Sequence, residues 1–143
     1  MKRVFAALLV VIAGAAAAEP ARDVADAANA FRGTAGLPPL AISPPLEAVA
    51  EAHARDMARK GFFSHTGSDG SNVGARARRD GYRFCLIAEN IAKGQKTAGA
   101  AMKSWIASPG HRRNMTLAKA REIGVARSGD IWVMVIATRQ GGC

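Results

Sequence analysis

The fold is decided by one apolar stretch near the end of the chain, Ile131-Trp132-Val133-Met134-Val135-Ile136-Ala137. Its β-branched and aromatic side chains favour a strand. Successive side chains of a strand point to opposite faces, and here both alternating sets are apolar. The sheet that contains this strand must therefore be covered on both faces. With helices as the covers, the sequence predicts an α+β domain built as a three-layer α-β-α sandwich.

The other elements follow from hydrophobic periodicity and capping residues, with helices early in the chain and strands late. A first helix is expected over residues 21–34. A second begins after Ser43 and ends at Gly61. The rest are a short helix capped by Ser71, a strand over residues 82–91, a helix capped by Thr97, and strands over residues 122–126 and 131–138 joined as a hairpin.

The first 18 residues have the features of a secretory signal peptide. Lys2 and Arg3 form a basic start, residues 4–12 are apolar, and Ala16-Ala17-Ala18 is an A-x-A cleavage site. The apolar run is shorter than the roughly 20 residues that a membrane span needs. We therefore expect cleavage after Ala18, a single domain over residues 19–143, and a secreted or periplasmic protein.

The chain is basic, with a formal net charge of +9, and its cationic side chains form two clusters. One consists of Arg76, Arg78, Arg79 and Arg83, and the other of Arg112, Arg113, Lys119 and Arg121. Such charge is compatible with binding to anionic lipid, acidic glycan or an envelope surface, although solvated helix faces are the preferred explanation. Nucleic acid is not an expected partner, because an exported chain with 6% aromatic residues offers few platforms for base stacking.

The two cysteines, Cys85 and Cys143, have one possible intramolecular pairing. In an oxidising compartment we expect that disulfide to form. It would tie the C-terminus to the predicted strand over residues 82–91, and chain entropy limits its contribution to roughly 4 kcal/mol.

Three polar side chains stand at the ends of predicted elements. His65 follows two aromatic residues, Phe62 and Phe63, which we expect to anchor the turn in the core. Glu89 ends an apolar strand, where a buried carboxylate needs a partner. His111 lies on a Pro-Gly bend at which another short helix can begin. These three residues are the candidates for a catalytic or binding site.

The other polar residues nearby receive structural roles. His53 lies on the apolar face of the second helix, so we expect a packing or hydrogen-bonding role for it. Ser64 adjoins His65 and Ser108 precedes His111 by three residues, but sequence neighbours rarely form a nucleophile–base pair and no G-x-S-x-G motif is present. Two asparagines are expected to satisfy backbone groups around the site: Asn90 and Asn114.

Six short motifs follow one another along the chain. They are Asn29-x-x-Arg32 with Gly36-Leu37-x-x-Leu40, Phe63-Ser64-His65, Arg76-x4-Gly81-Tyr82, Glu89-Asn90-Ile91-Ala92-x-Gly94, Trp105-x-x-Ser108-Pro109-Gly110-His111-Arg112-x-Asn114, and Ile123-Gly124-Val125. In this order and spacing they resemble the CAP superfamily (cysteine-rich secretory proteins, antigen 5 and pathogenesis-related 1 proteins, also called SCP domains), in its compact bacterial form.

The resemblance implies an α-β-α sandwich with a cleft. In the family this cleft often carries two histidines and two acidic residues, and some members bind zinc or another divalent ion through the histidines. His65, Glu89 and His111 match three of those positions. Ser108 stands where eukaryotic members often have a glutamate. The disulfide between Cys85 and Cys143 fits as a decoration of that fold.

The chemistry of this set leaves several functions open. Two histidines and a carboxylate form a recognised catalytic zinc set, and zinc would lower the pKa of its bound water to about 7. Glu89 could instead orient one imidazole, with Asn90 and Ser108 lining the cleft. In that case Zn²⁺ or another divalent metal would be held by His65 and His111 alone.

We therefore expect first a non-catalytic module that binds a lipid, peptide, glycan or protein. The alternatives are a metal-dependent, peptidase-like hydrolase that uses His65, His111 and Glu89, and binding to a lipid or anionic envelope surface.

Overall fold

The structure, a computed structural model, describes residues 15–143. Its elements, in chain order, are α1 (Ala15–Thr34), β1 (Ala41–Ile42), α2 (Pro44–Lys60), α3 (Val73–Arg79), β2 (Phe84–Lys93), α4 (Ala98–Ile106), α5 (Pro109–Met115), β3 (Glu122–Ser128) and β4 (Ile131–Arg139). The strands form one sheet in the order β1-β3-β4-β2. Strand β1 is parallel to β3, and the other neighbours are antiparallel.

Strand β4 separates two cores, as its two apolar faces predict. Trp132, Met134 and Ile136 pack into a core with residues of α1, α4 and α5. Val133 and Val135 pack into a second core with residues of α2 and α3. The sheet is thus covered on both faces, and the prediction of a three-layer α-β-α sandwich is confirmed.

Most of the predicted signal peptide lies outside the described residues, so cleavage after Ala18 stays a prediction. Helix α1 begins at Ala15 rather than at residue 21, and Pro20 lies inside it. None of the helices in residues 15–143 is both long and apolar enough to cross a membrane.

Four local predictions were wrong in detail. Strand β1 was not predicted, because its two residues pair with β3 only after the chain has folded. Asn72 rather than Ser71 caps α3, where its side-chain oxygen accepts a hydrogen bond from the backbone N–H of Ala75 at 2.8 Å. Strand β2 runs from residue 84 to 93 instead of 82 to 91. Phe63 is 46% exposed and does not anchor its turn in the core, whereas Phe62 is half-buried against the second core.

Helix α2 packs directly on the backbone of β3. Its first turn is capped by Ser43, whose hydroxyl accepts from the N–H of Leu46 and whose own N–H donates to the carbonyl of Ile123 at 2.9 Å. Gly124 lies under this turn. A Cβ there would come within 2.2 Å of the backbone nitrogen of Glu47, so only glycine allows the helix to approach the sheet this closely.

The predicted disulfide between Cys85 and Cys143 is present, with a Cα–Cα distance of 6.2 Å. It joins the start of β2 to the last residue of the chain across a sequence separation of 58. The bridge therefore holds the segment that follows β4 against the sheet edge.

Candidate functional site

The site lies along β2, which is an edge strand of the sheet. Two consecutive residues, Glu89 and Asn90, point to opposite faces because side chains alternate along a strand. Glu89 shares its face with Ile87 and Ile91, which belong to the core under α2 and α3. Asn90 faces the layer that contains α5. The edge strand therefore brings together groups from both helical layers.

Glu89 is buried and both of its carboxylate oxygens are engaged. Oε1 lies 2.8 Å from Nδ1 of His65. Oε2 accepts a hydrogen bond from the guanidinium of Arg76 at 2.7 Å. Arg76 also donates to the carbonyls of His65 at 3.0 Å and Ser71 at 2.6 Å. The sequence placed Glu89 at the end of an apolar strand, but it lies inside β2, where this buried ion pair satisfies its carboxylate.

His53 has the structural role that was predicted for it. It is 1% exposed, and its Nε2–H donates to the carbonyl of Ser64 at 2.8 Å, since a carbonyl only accepts. Nε2 lies 4.0 Å from Oε1 of Glu89, too far for a hydrogen bond. Burial lowers the pKa of His53, so the imidazole is neutral near pH 7. His53 thus fixes the loop that carries His65.

His65 is the solvent-facing member of the site, with 58% of its side chain exposed. Its hydrogen bond to Glu89, together with the charge of that carboxylate, raises the pKa of the imidazole above 6.5 even though partial burial acts against the increase. Because Nδ1–H donates to Glu89, the neutral ring keeps its lone pair on Nε2. That nitrogen is available to a ligand or a metal ion.

His111 lies in the first turns of α5, so the predicted Pro-Gly bend is the start of a helix with Pro109 at its first position. The backbone carbonyl of His111 accepts a hydrogen bond from Asn90 at 3.2 Å. Desolvation lowers the pKa of His111, and the charge of His65 lowers it further. The two imidazoles are therefore close enough to interact electrostatically.

Two asparagines hold α5 against β2. The side-chain amide of Asn114 donates to the backbone carbonyl of Glu89 at 3.3 Å and to Oδ1 of Asn90 at 2.9 Å. Asn90 is 1% exposed. These contacts confirm the prediction that both asparagines satisfy polar groups around the cleft.

The donor set fits a divalent metal only in part. His65 offers Nε2, and Nδ1 of His111 is buried with no hydrogen-bond partner in the described chain. Glu89 is committed to His65 and Arg76, so its geometry is that of a residue orienting an imidazole. Within residues 15–143 no group of three or more His, Cys, Asp or Glu side chains is arranged to hold a metal ion. Only His65 and His111 would bind one.

The two serines near the histidines show no sign of activation in the described chain. The hydroxyl of Ser64 accepts from the backbone N–H of Thr66 at 3.0 Å. Ser108 occupies the N-cap of α5 without a side-chain capping bond, while its carbonyl accepts from the N–H of Arg112. Ser64 thus stabilises its own turn, whereas Ser108 occupies the N-cap position without capping the helix through its hydroxyl.

The sequence assigns Arg76 to a basic cluster or, as the alternative, to the interior as a buried structural cation, and the structure confirms the alternative. Arg76 lies in a run of arginines that suggests a solvated helix face, yet it is only 4% exposed while Arg78 and Arg79 are exposed. The available signal was its spacing: Arg76 lies three residues after Val73 and beside Ala77, on the face of α3 that packs against the second core.

The pKa values of His65 and His111 should be shifted in opposite directions in metal-free protein. We expect the midpoint of His65 above 6.5 and that of His111 below it. The ion pair of His65 stabilises the fold below the unfolded-state pKa of about 6.5, and this contribution is lost as pH rises through the higher folded-state pKa. Side-chain NMR of the imidazole C–H groups measures both midpoints.

Replacing Glu89 with glutamine should lower the His65 midpoint. Glu51→Gln is the matched control, because it removes the same charge from an exposed ion pair with Arg55. A His65 midpoint at or below that of His111 in the wild type contradicts the described geometry.

The sequence model of the CAP family, described as the cysteine-rich secretory protein family, matches residues 25–134. The chain is 36% identical over 113 residues to the YkwD protein of Bacillus subtilis, covering 78% of this chain and 44% of that protein. It is 29% identical over 104 residues to the membrane protein YlbC of the same organism, covering 73% of this chain and 30% of that protein. It therefore spans less than half the length of these two relatives.

The fold is also that of solved structures. An extracellular protein containing an SCP domain from Bacillus anthracis matches with a TM-score of 0.84 and 28% identity, over 86% of this chain and 41% of that one. An outer surface protein of Borrelia burgdorferi matches with a TM-score of 0.78 over 85% of this chain and 94% of that one, and at 23% identity it shows the fold alone. With the family match covering most of the described residues, the chain belongs to the CAP family of cysteine-rich secretory proteins.

Proposed function

We propose that this chain is an exported CAP domain whose cleft binds a ligand at His65 and His111 without catalysing a reaction. The observation that carries the proposal is the engagement of Glu89 by both Arg76 and His65. A carboxylate held between two cationic or donating partners is not free to accept a proton from water. Glu89 positions His65, and the exposed nitrogen of that ring meets the ligand.

The hydrolase alternative lacks a base and a third ligand. A catalytic zinc commonly has three protein ligands and an open position for water. Here the carboxylate is engaged elsewhere, and Ser108 occupies the position at which related chains often have a glutamate. Within residues 15–143 neither serine hydroxyl forms a hydrogen bond with a histidine side chain; Ser64 contacts His53 only through its backbone carbonyl. The geometry therefore supports binding better than hydrolysis.

A divalent metal would be held by His65 and His111, with Glu89 orienting the first imidazole through Nδ1–H. When bound, it would supply a positive charge for an acidic or carbonyl group of the ligand. Two protein ligands leave most of the coordination positions open, so we expect weak binding unless the ligand contributes donors. The exposed ring of Phe63, two residues before His65, adds an apolar contact at the same loop.

Three features support export. Residues 1–18 have the pattern of a signal peptide, Cys85 and Cys143 form a disulfide, and the structural relatives are described as extracellular or outer-surface proteins. Disulfides persist in oxidising compartments and are rare in the cytosol. The proposal thus covers residues 19–143 as the mature domain, secreted or periplasmic.

A zinc titration by calorimetry tests the cleft. We expect weak binding, with an affinity at least tenfold lower in both His65→Ala and His111→Ala. Because the metal binds the neutral imidazole, the affinity should also fall as pH decreases through the raised pKa of His65. Lys103→Ala, an exposed change on α4, is the control and should leave the affinity unchanged.

Zinc binding that is unaffected by both histidine substitutions would rule out this metal site. Zinc-dependent hydrolysis of a peptide or ester that disappears in His65→Ala would overturn the non-catalytic proposal and favour the hydrolase. Both assays use protein whose melting temperature has been compared with that of the wild type.

A further inference from the structure

A concave site lies at the start of β2. Its volume is about 370 Å³, and it is lined by Arg78, Gly81, Arg83, Phe84 and Gln140. These residues come from the end of α3, the turn into β2 and the segment after β4. None of them contributes to the His65–Glu89–His111 cleft, so the two sites can be tested independently.

The pocket carries positive charge that the described chain does not neutralise. Arg78 and Arg83 are exposed, and within residues 15–143 neither guanidinium has a carboxylate oxygen within 4 Å, whereas the neighbouring Arg79 pairs with Asp69. The nearest acidic residue in sequence is Asp80, which is exposed and forms no ion pair with either arginine. A pocket lined by two such guanidinium groups attracts anions.

Arg78 is held in place by an aromatic ring. The carbon at the centre of its guanidinium lies 4.4 Å from the centroid of Phe84. That ring lies against Gly74, where an added Cβ would come within 3.0 Å of its Cζ atom. Stacking on a fixed ring limits the orientations of the guanidinium and leaves its N–H groups free to donate in the ring plane.

The residues Arg83 and Gln140 of the pocket are held together through the C-terminal segment. The backbone N–H of Gln140 donates to the carbonyl of Arg83 at 3.1 Å. Two residues after Arg83, Cys85 forms the disulfide with Cys143. The disulfide and the hydrogen bond together fix the position of Arg83 relative to Gln140.

We propose that this pocket binds a phosphate group carried by a small organic phosphate or by a phospholipid headgroup. Guanidinium groups form paired, charge-assisted hydrogen bonds with phosphate oxygens. The side-chain amide of Gln140 can donate another. A volume of about 370 Å³ falls within the range of small-molecule sites and exceeds what a bare phosphate needs, which leaves room for an organic group beside Phe84.

Backbone NMR of the disulfide-bonded protein tests the pocket, with inorganic phosphate and glycerol 3-phosphate as probes. We expect saturable shifts at Gly81, Phe84 and Gln140, with glycerol 3-phosphate binding more tightly than inorganic phosphate. Arg78→Gln and Arg83→Gln should each weaken binding about tenfold, since each loses a charge-assisted contact.

Arg113→Gln is the matched control, because it removes the same charge from an exposed position on α5. It should leave the affinity unchanged, as should His65→Ala in the cleft. Shifts that do not saturate, or equal weakening by the control, would overturn the proposal and indicate nonspecific charge attraction.

Vesicles distinguish the two sources of the phosphate group. We compare phosphatidylcholine vesicles with vesicles that contain phosphatidylglycerol, at low and high salt. If the protein binds only the vesicles that contain phosphatidylglycerol, and this binding depends on Arg78 and is displaced by glycerol 3-phosphate, then the ligand of the pocket is a phospholipid headgroup. Binding of glycerol 3-phosphate without vesicle binding assigns it to a soluble phosphate. Vesicle binding that is unaffected by Arg78→Gln and by glycerol 3-phosphate contradicts the proposal.

Discussion

Replacing Arg76 with methionine is expected to lower the free energy of unfolding by about 3–5 kcal/mol. Arg76 is 4% exposed and is the ion-pair partner of the buried carboxylate of Glu89. Methionine keeps the apolar part of the side chain but removes the charge. Glu89 would remain in the interior without a cation beside Oε2, and the carbonyls of His65 and Ser71 would each lose a donor. Urea unfolding followed by circular dichroism measures the change.

Two further variants distinguish the effect of breaking the buried ion pair from the effect of removing a positive charge anywhere in the chain. Arg55→Met breaks an exposed ion pair with Glu51 on α2 and should cost at most about 1 kcal/mol. The double variant Arg76→Met/Glu89→Gln should recover part of the loss, because it removes the unpaired carboxylate as well. If Arg76→Met costs no more than Arg55→Met, the ion pair with Glu89 does not form as described.

The same contacts connect stability with binding. Arg76 fixes Glu89, and Glu89 in turn holds Nδ1 of His65 and raises its pKa. The imidazole of His65, which we propose as the ligand contact, is thus positioned by groups that are almost entirely buried. This rigidity would favour the proposed binding function, since a fixed imidazole loses less conformational freedom when a ligand or metal docks.

The fold was predictable because its decisive signal is local. The seven consecutive apolar residues 131–137 form a short run rich in β-branched side chains, which favours a strand covered on both faces, and α2 and α4 carry side-chain caps at Ser43 and Thr97. Strand β1 had no such signal: it is two residues long and exists through its pairing with β3. Phe63 was mispredicted for another reason: aromatic character usually indicates burial, but its ring is 46% exposed.

The site was only partly predictable. His65, Glu89 and His111 emerged from their motifs and from the cost of a carboxylate after an apolar strand. That Glu89 orients an imidazole was one of two alternatives left open, and the choice depends on its contact with Arg76, one of four arginines between residues 76 and 83. Only the packing of α3 shows that one of them faces inward while Arg78 and Arg83 line a separate pocket.

Gly124→Ala should be among the most damaging single-methyl changes in the chain, with a loss of about 3 kcal/mol or more in unfolding free energy. The new Cβ would lie 2.2 Å from the backbone nitrogen of Glu47 and from the carbonyl carbon of Leu46. These are main-chain atoms of the first turn of α2, so no side-chain rotation relieves the clash. Helix α2 must move away from β3, which opens the second core and strains the hydrogen bond between Ser43 and Ile123.

Gly33→Ala adds the same methyl group where nothing lies within 4 Å, in the last turn of α1. Because alanine is the better helix former, this control should be neutral or stabilising by up to about 1 kcal/mol. If Gly124→Ala lowers the free energy of unfolding and Gly33→Ala does not, the loss comes from the contact between α2 and β3. Should Gly124→Ala be too unstable to purify, limited proteolysis of both variants in cell extract gives the same comparison. If the two variants have equal stability and equal protease resistance, α2 does not approach the sheet at Gly124 as described. Helix α2 also carries His53, which fixes the loop of His65. The position of His65 relative to Glu89 would then have to be revised as well.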